Sequence, residues 1–565
     1  MLSFSMMTTN SSTQELRLPE TSHLPLPTQW LERKLNGVSV YEITVSELQN
    51  HFVAGTFTSS QYVERCLENI RLLNPYLEAV LETRPDAVAI AEELDTERWH
   101  GRIRGPLHGI PVLVKDNIAT EGPMQTTAGS WALLGSIVPK DAFVITKLRA
   151  AGAVILGHAN MSEWASLRSK AESTGFGPRG GQTRNPFDLR RSALGSSSGS
   201  AATVSANLAP LALGTETDTS IIGPASINGV VGIKPTVGLT SRTGVIPISE
   251  NMDSVGPFGR TVADAVALLD AIVEQDVHDR FAMVPNRKQD VPYSRYLSTP
   301  EVLKGARFGL PWNRCWDLAP SGSKRVATKV LDAMRKAGAE ILDVNIPSIE
   351  ERSNESGTWN WEHGDAAQSE WTVAQTDAYD GINSYLQGLI ESPVKSIEDI
   401  IRFNRENAGT EGGFPGIVPA FPDGQTNLHE VAQRKGLKDE TYDSALAHIR
   451  RQTRQNGIDA ALSHVQEGEA EPVRLDALIF CDRRGIGQQY AAQVGYPVIC
   501  IPIGLDNHGM PISISIQHTA WKEAELVKWA SAIDSLWAQE SGPRAKPTFR
   551  NLHAKNIPVE EAIDD

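Results

Sequence analysis

The sequence is poor in cysteine. It has four cysteines in 565 residues: Cys66, Cys315, Cys481 and Cys500. They lie far apart and form no C-x-x-C pair, so neither a disulfide framework nor a zinc site is indicated. We interpret them as apolar thiols in a reducing compartment.

Long apolar runs and an excess of basic residues are also missing. No stretch approaches the roughly 18 apolar residues that cross a membrane, and the first 20 residues lack the basic and apolar regions of a secretory signal. The 53 basic and 68 acidic residues give a net charge of -15. Because phosphate binding needs a basic face, this balance argues against nucleic acid as a partner. We therefore expect a cytoplasmic protein with neither a membrane nor a nucleic-acid partner.

The rest of the composition is that of a soluble globular protein. Hydrophobic residues make up 40% of the chain and charged residues 21%, so a core can form without disulfides or metals. Residues 1–27 are polar and contain proline, which predicts a loose N-terminal tail. We assign residues 28–565 to a single domain, within which residues 280–430 are the least patterned.

Short apolar runs alternate with helical patterns, which predicts an α/β layered fold. Residues 109–114 and 153–156 are predicted strands with a helix between them at 141–151. Further strands are predicted at 211–213, 230–233, 475–480, 497–502 and 512–516. Further helices are predicted at 201–207, 262–274 and 521–537. Thr58 or Ser59 is a candidate cap for a helix within residues 39–84.

Three segments carry residues that can perform chemistry. Lys115 ends the strand predicted at 109–114; a surface lysine is the simpler interpretation, but a desolvated one can be neutral and act as a base. The second segment is the serine-rich run 195–200. The third is 214–225, where a turn before Ser220 can present backbone N–H groups to one point, as in an oxyanion hole. Each of the last two, taken alone, is more simply a serine- and threonine-rich loop.

Together these segments resemble the amidase signature family. Leu194–Ala201 matches the family's Gly-Gly-Ser-Ser-Gly-Gly-Ser-Ala run, and Glu216–Ile221 matches its Asp-Thr-Gly-Gly-Ser-Ile run. Further matches lie in the same order at 107–116, 150–157 and 229–236, and the resemblance extends from about residue 40 to 545. It implies the amidase signature fold, an α/β architecture with a central mixed twisted β-sheet flanked by helices on both faces.

The resemblance also implies a catalytic triad. Ser220 resembles the nucleophile, Ser196 the bridging serine that this family holds on a cis peptide bond, and Lys115 the base. The implied oxyanion hole consists of the backbone N–H groups of Thr217, Asp218, Thr219 and Ser220. Such an enzyme cleaves amide bonds through an acyl-enzyme, and we expect no cofactor and no metal.

Within the family, the runs at 179–186, 214–218 and 237–244 resemble peptide amidases and related fungal and bacterial amidases. Peptide amidases release ammonia from C-terminal carboxamides, so we expect a small-molecule or peptide amide as the substrate. Fatty amides, aryl amides, carbamates and esters stay open, as does the role of a glutamine amidotransferase component that acts on charged tRNA within a complex and shares this core. Ser197 and Trp361 are candidate substrate contacts, and Trp361 lies in an aromatic segment that either walls the substrate entrance within 280–430 or forms a small satellite core.

Three residues depart from the family pattern. Thr219 and Asp218 stand where glycines are usual, and Ile222 replaces a common arginine, which predicts the loss of a buried ion pair. A β-branched residue resists positive φ, and a carboxylate repels an oxyanion unless it is paired or points away. We still expect an active enzyme.

A rival nucleophile is Ser197, because residues 195–199 match the G-x-S-x-G elbow of α/β-hydrolases. That elbow needs a strand directly before it, and residues 188–192 are too polar for a buried strand. We therefore favour Ser220. His108 and His158 are interpreted as structural, because their spacing fits no metal motif.

Overall fold

The computed structural model describes residues 26–283, 291–353, 365–464, 472–482 and 486–561. The strands are, in chain order, β1 (Val80–Thr83), β2 (Pro111–Lys115), β3 (Val154–Ala159), β4 (Phe176–Gly177), β5 (Gly181–Gln182), β6 (Arg184–Asn185), β7 (Asp188–Ser192), β8 (Leu211–Glu216), β9 (Val231–Lys234), β10 (Ser254–Gly259), β11 (Arg307–Pro311), β12 (Glu340–Val344), β13 (Ser463–His464), β14 (Val473–Arg474), β15 (Ala477–Asp482), β16 (Val498–Leu505) and β17 (Pro511–Gln517).

The helices follow in the same way. They are α1 (Leu26–Leu31), α2 (Val45–Ala54), α3 (Ser59–Leu77), α4 (Ala87–Trp99), α5 (Phe143–Ala150), α6 (Ser198–Ser205), α7 (Ile222–Asn228), α8 (Val262–Ile272), α9 (Ser321–Lys336), α10 (Ile349–Arg352), α11 (Glu370–Gly388), α12 (Ile397–Glu406), α13 (Ala408–Glu411), α14 (Thr426–Arg434), α15 (Glu440–Arg450), α16 (Asp459–Leu462), α17 (Ile486–Val494) and α18 (Glu523–Ser541). Among these helices, none combines the length and apolar character needed to cross a bilayer.

A large mixed sheet forms the centre of the molecule. Within the described residues, eleven strands pair in the order β1-β3-β2-β8-β10-β9-β16-β17-β15-β11-β12. β2 runs parallel to both β3 and β8, whereas β10 is antiparallel to β8 and β9. The expected central mixed sheet is therefore confirmed.

The two faces of the sheet bury different cores. In β16, Ile499 and Ile501 pack into one apolar cluster with residues of α8, α9 and α18, while the alternating Val498 and Cys500 belong to a second cluster. This follows from the two-residue period of a strand, which sends neighbouring side chains to opposite faces. Helices cover both faces, as predicted.

Several local predictions are close to the observed elements. Thr58 caps α3, since its hydroxyl accepts the N–H of Gln61 and the Gln61 side chain accepts the N–H of Thr58. Residues 211–213, 262–274 and 521–537 correspond to β8, α8 and α18, with bounds that differ by up to four residues. α1 begins at Leu26, inside the tail predicted at 1–27; residues 1–25 lie outside the described part of the chain, and the single domain stays a prediction.

One prediction about secondary structure is wrong. Residues 188–192 do form a strand, β7, paired with β6; its charged residues have partners, since Arg190 pairs with Asp188 and Arg191 donates to the carbonyl of Glu561 near the end of the chain. The segment 280–430, the least patterned in sequence, contains β11, β12 and the helices α9 to α13. A third apolar cluster joins α11 and α12 to Met161 and Trp164 beside the core.

Candidate active site

Lys115 is the last residue of β2, a strand in which every residue is buried. Its side chain is 0% exposed. The Nζ atom lies 2.8 Å from Oγ of Ser196, 3.0 Å from the carbonyl oxygen of Thr215 and 2.9 Å from Oγ1 of Thr215. The lysine is therefore held in the interior by three oxygen atoms, and it does not reach water.

Burial controls the charge of this amine. Desolvation lowers the pKa of Lys115 to about 7, against the opposing attraction of the Glu216 and Asp253 carboxylates. A neutral amine has two N–H groups and one lone pair. It can donate to the two oxygens of Thr215 and accept the proton of Ser196, so the three contacts suit a base that is neutral near pH 7.

Ser196 extends the contacts from Lys115 toward solvent. It follows a cis peptide bond after Gly195 and is buried. Its Oγ lies 3.1 Å from Oγ of Ser220, which is 8% exposed. The backbone N–H of Ser197 donates to the carbonyl of Ser220 at 3.3 Å and ties the two segments together. The structure thus brings the three predicted triad residues into one line of hydrogen bonds.

The turn between β8 and α7 carries the predicted oxyanion hole. No hydrogen bond in the described part of the chain uses the backbone N–H of Thr217, Asp218, Thr219 or Ser220 as its donor. Backbone N–H groups need an acceptor, and adjacent ones beside a nucleophile suit a developing oxyanion. α7 begins at Ile222, two residues after Ser220.

Thr219 keeps the backbone conformation that a glycine would give. Its φ is 62°, in the left-handed region that costs a β-branched residue roughly 1–3 kcal/mol. Gly223 makes room for its methyl group, since a Cβ at Gly223 would lie 2.9 Å from that carbon. The substitution therefore adds strain to the turn and leaves its shape in place.

The surroundings of Asp218 disfavour a free negative charge on its side chain. Its Oδ1 accepts a hydrogen bond from Thr219 Oγ1 at 2.9 Å, and its Oδ2 accepts one from Gln489 Nε2 at 3.1 Å. Burial raises the pKa of Asp218 well above its usual value, and the nearby carboxylate of Glu370 acts in the same direction. The carboxyl is paired and favours its neutral form, which answers the concern that it would repel an oxyanion.

Ser197 is not directed at an open pocket. It is buried, its hydroxyl donates to the carbonyl of Thr215 at 3.0 Å and it accepts the N–H of Thr215 at 3.3 Å. The strand β7 ends at Ser192, so it does not run directly into Ser197 as an elbow requires. Trp361, the other candidate substrate contact, lies outside the described residues.

Sequence reasoning missed Thr215 and Gln489. Thr215 holds Lys115 and also accepts from Asn117 at 3.0 Å; its place beside the motif at 216–221 was an available signal. Gln489 comes from α17, about 270 residues after Asp218, and no motif marks it. Only the packing of α17 against the nucleophile turn reveals it.

Next to Lys115 lies a cluster of charged side chains. Glu82, Asp116 and His158 place potential metal-ligand atoms within 4.8 Å of one another. Burial opposes the charge on His158, but hydrogen bonds with Asp116 and Glu82 raise its pKa to about 9. Arg179 adds a second positive charge at 3.2 Å from Glu82. The two cations balance the two carboxylates, and this arrangement favours an ion-pair network over a metal site; the expected absence of a metal stays a prediction.

Comparison with known proteins identifies the family. The Amidase family model matches residues 61–410. A Schizosaccharomyces pombe protein named as an amidase is 44% identical over 542 residues, covering 95% of this chain and 91% of its own length. The solved structure of peptide amidase from Stenotrophomonas maltophilia is 39% identical with a TM-score of 0.78, covering 90% of this chain and 99% of that chain.

A component of the glutamyl-tRNA(Gln) amidotransferase from Renibacterium salmoninarum is also similar. It is 32% identical over 525 residues, with 89% of this chain and 95% of that protein covered. The family match spans more than half of the chain, and the similarity to the yeast and bacterial proteins extends across nearly all of it. The chain therefore belongs to the amidase signature family, as a peptide amidase-like hydrolase of amide bonds.

Proposed function

We propose that this protein hydrolyses carboxamides, with peptide C-terminal carboxamides as the leading substrate class, and releases ammonia through an acyl-enzyme on Ser220. The observation that carries the proposal is the unbroken path from Lys115 Nζ to Ser196 Oγ at 2.8 Å and on to Ser220 Oγ at 3.1 Å. A serine hydroxyl is a weak nucleophile and needs a base. The neutral lysine supplies one through the intervening serine.

In the acylation step, Ser220 Oγ attacks the carbonyl carbon and gives its proton to Ser196. Ser196 passes its own proton to Lys115, whose amine becomes an ammonium. The carbonyl oxygen becomes an oxyanion beside the unpaired N–H groups of residues 218–220, each worth roughly 3–4 kcal/mol in a transition state. The near-neutral pKa of Lys115 suits this task, because a base must be free to accept the proton and then return it.

The same path runs backwards when the carbon–nitrogen bond breaks. Lys115 returns a proton to Ser196, and Ser196 protonates the departing nitrogen, which leaves as ammonia. Water then attacks the ester on Ser220 and gives its proton to the same relay. The relay returns a proton to Ser220 Oγ as the ester bond breaks, and the carboxylic acid is released. This is a Ser-Lys counterpart of the Ser-His-Asp arrangement, and no step draws on a cofactor or metal.

The entrance to this site is assigned to the segment 280–430. α11 and α12 pack on Met161 and Trp164, which follow β3 and precede the serine-rich run. The carboxylate of Glu370, the first residue of α11, disfavours a negative charge on Asp218. Because the acyl group must enter beside the nucleophile, these contacts support an entrance wall built from α11 and its neighbours. Substrate choice among amides, carbamates and esters is then set by this wall.

The test compares four proteins on one panel of substrates. Wild type, Ser220→Ala, Ser196→Ala and Ser197→Ala are assayed on a peptide carboxamide, the matching methyl ester and an aryl amide, with the carboxylic acid product measured for all three and ammonia release measured for the carboxamide. The proposal expects ammonia from the peptide carboxamide and a loss of roughly 10⁴-fold or more in Ser220→Ala. Ser197→Ala should keep a measurable rate, since it removes a hydrogen bond within the scaffold. Full activity in Ser220→Ala, or complete loss confined to Ser197→Ala, would overturn the assignment.

A second candidate function is that of a glutamyl-tRNA(Gln) amidotransferase component. The similarity to the Renibacterium protein favours it, but the peptide amidase match covers 99% of that chain at higher identity. The two functions differ in whether the chain acts alone. Steady ammonia release by the purified single chain supports the hydrolase, and activity only after addition of a tRNA-binding partner protein would support the amidotransferase.

A further inference from the structure

Glu216 ends β8, directly before the turn that carries the nucleophile. It is 1% exposed. Its Oε2 accepts the backbone N–H of Ile221 at 2.5 Å and of Ile222 at 2.9 Å. Since Ser220 lies between Glu216 and Ile221 in the chain, one carboxylate oxygen ties the residues after the nucleophile to the strand before it and closes the turn.

A lysine supplies the counter-charge for this carboxylate. Ile222 stands in place of the family's arginine. The buried Lys234 at the end of β9 attracts the Glu216 carboxylate. Burial lowers the pKa of Lys234 to about 8, and Glu216 opposes that shift. Lys234 Nζ donates to the carbonyl of Tyr496 at 2.9 Å and belongs to the run 229–236 that matches the family, so it acts on Glu216 at longer range and does not substitute for the missing arginine.

We propose that Glu216 is a positioning residue for the reaction, which closes the nucleophile turn through its two hydrogen bonds and favours the protonated form of Lys115 through its charge. The proposal rests on the proposed function, because it assumes Lys115 as base. Glu216 touches neither substrate nor a reacting atom. Its hydrogen bonds act on the nucleophile turn, and its charge acts on Lys115.

The surrounding charges define what a change at Glu216 does. The carboxylates of Glu216 and Asp253 attract the Lys115 amine. Burial raises the pKa of Glu216, while Lys234, the N–H groups of Ile222 and Ile221, and Lys115 oppose that shift. Asp218 lies on the turn itself and faces Glu370 as well as Glu216, while Glu523 faces Lys234. Removing the Glu216 charge leaves Lys115 with Asp253 as the remaining anion that acts on it. This change disfavours the ammonium form of Lys115.

Two variants separate the two halves of the proposal. Glu216→Gln keeps an oxygen for the N–H groups of Ile221 and Ile222 but removes the charge, so the acid limb of kcat/KM against pH should move to lower pH by roughly one unit. Glu216→Asp keeps the charge but is one methylene shorter. It should lower kcat by roughly tenfold to a hundredfold, because the turn is no longer held in place, with the midpoint of the acid limb near that of wild type.

The matched control is Asp264→Asn. Asp264 is another buried carboxylate, and its Oδ1 accepts the N–H of Val45 at the start of α2, away from the nucleophile turn. The acid limb of kcat/KM against pH for Asp264→Asn should keep the wild-type midpoint. An unchanged pH profile in Glu216→Gln would overturn the charge effect, and full kcat in Glu216→Asp would overturn the tether. Activity in Ser220→Ala would instead refute the proposed function, whatever the Glu216 variants show. Folding of each variant is checked by thermal unfolding.

Discussion

Replacing Lys115 by methionine tests whether the lysine is buried without its charge. The folded state lowers the pKa of this group from 10.5 to about 7, so protonation of the unfolded chain competes with folding. Since one pKa unit corresponds to about 1.4 kcal/mol, burial of this amine costs roughly 4–5 kcal/mol of folding free energy at pH 7 and below. The lysine is fully buried, so solvent screening does not reduce this figure.

The sign of the pH dependence follows from proton counting. Between pH 7 and 10.5 the unfolded state binds more protons at this residue than the folded state, so wild-type stability rises with pH. From pH 7 to pH 9 this residue alone should contribute a gain of about 2 kcal/mol. Lys115→Met contributes no such gain. The variant also removes one donor from each Thr215 oxygen, although Asn117 and Ser197 still donate to them; this costs about 1 kcal/mol and does not depend on pH.

The assay is urea unfolding of wild type and Lys115→Met at pH 7 and pH 9. The difference in free energy of unfolding between the two proteins should change by about 2 kcal/mol in favour of wild type as the pH rises. Lys329→Met, at an exposed position on α9, serves as the control and should parallel wild type. Parallel pH dependence of wild type and Lys115→Met would refute the claim that the buried amine is neutral.

Three further predictions address the surroundings of the relay. Thr215→Val removes one of the oxygens that orient Lys115 and should lower kcat about tenfold, while Thr215→Ser should stay near wild type; equal rates for both would show that Oγ1 has no orienting role. Thr219→Gly relieves the left-handed threonine but removes the hydrogen bond from Thr219 Oγ1 to Asp218 and frees the unfolded chain, so the free energy of unfolding should stay within about 1 kcal/mol of wild type in urea unfolding; a larger loss would contradict the strain at Thr219. Burial and the neighbouring Glu163 raise the pKa of Glu411, so stability from this group is lost as the pH rises above 5. The Tm of Glu411→Gln should therefore fall less than that of wild type between pH 6 and pH 9. An equal fall would exclude Glu411 as a cause of the pH dependence of stability.

The parts of the site that the sequence predicts are those that short motifs carry. The ends of β2 and β8 are apolar runs followed directly by polar residues, so Lys115 and the turn before Ser220 could be located without a structure. The distances of the relay could not, because they depend on the sheet order that places β2 beside β8. The roles of Gln489 and Glu370 cannot be predicted from the sequence for the same reason, since both act on Asp218 from helices far along the chain.

The errors have physical causes as well. The polarity of residues 188–192 excludes a buried strand only when their charges lack partners, and in β7 the C-terminal segment near Glu561 supplies a partner for Arg191. In α9 the buried residues Ala327, Val330, Leu331 and Met334 have the spacing of an amphipathic helix. The helical spacing in this part of 280–430 therefore predicts α9 from the sequence alone.

The central claim is that Ser220 reacts because Lys115, acting through Ser196, removes its proton. The most direct measurement is the rate of covalent labelling by a fluorophosphonate as a function of pH, with the labelled residue located by peptide mass spectrometry. The account predicts a single adduct on Ser220, a rate that rises through about pH 7 as the amine loses its proton, and much slower labelling in Ser196→Ala. An adduct on Ser197, or a rate at Ser220 that does not change between pH 5 and pH 9, would contradict it.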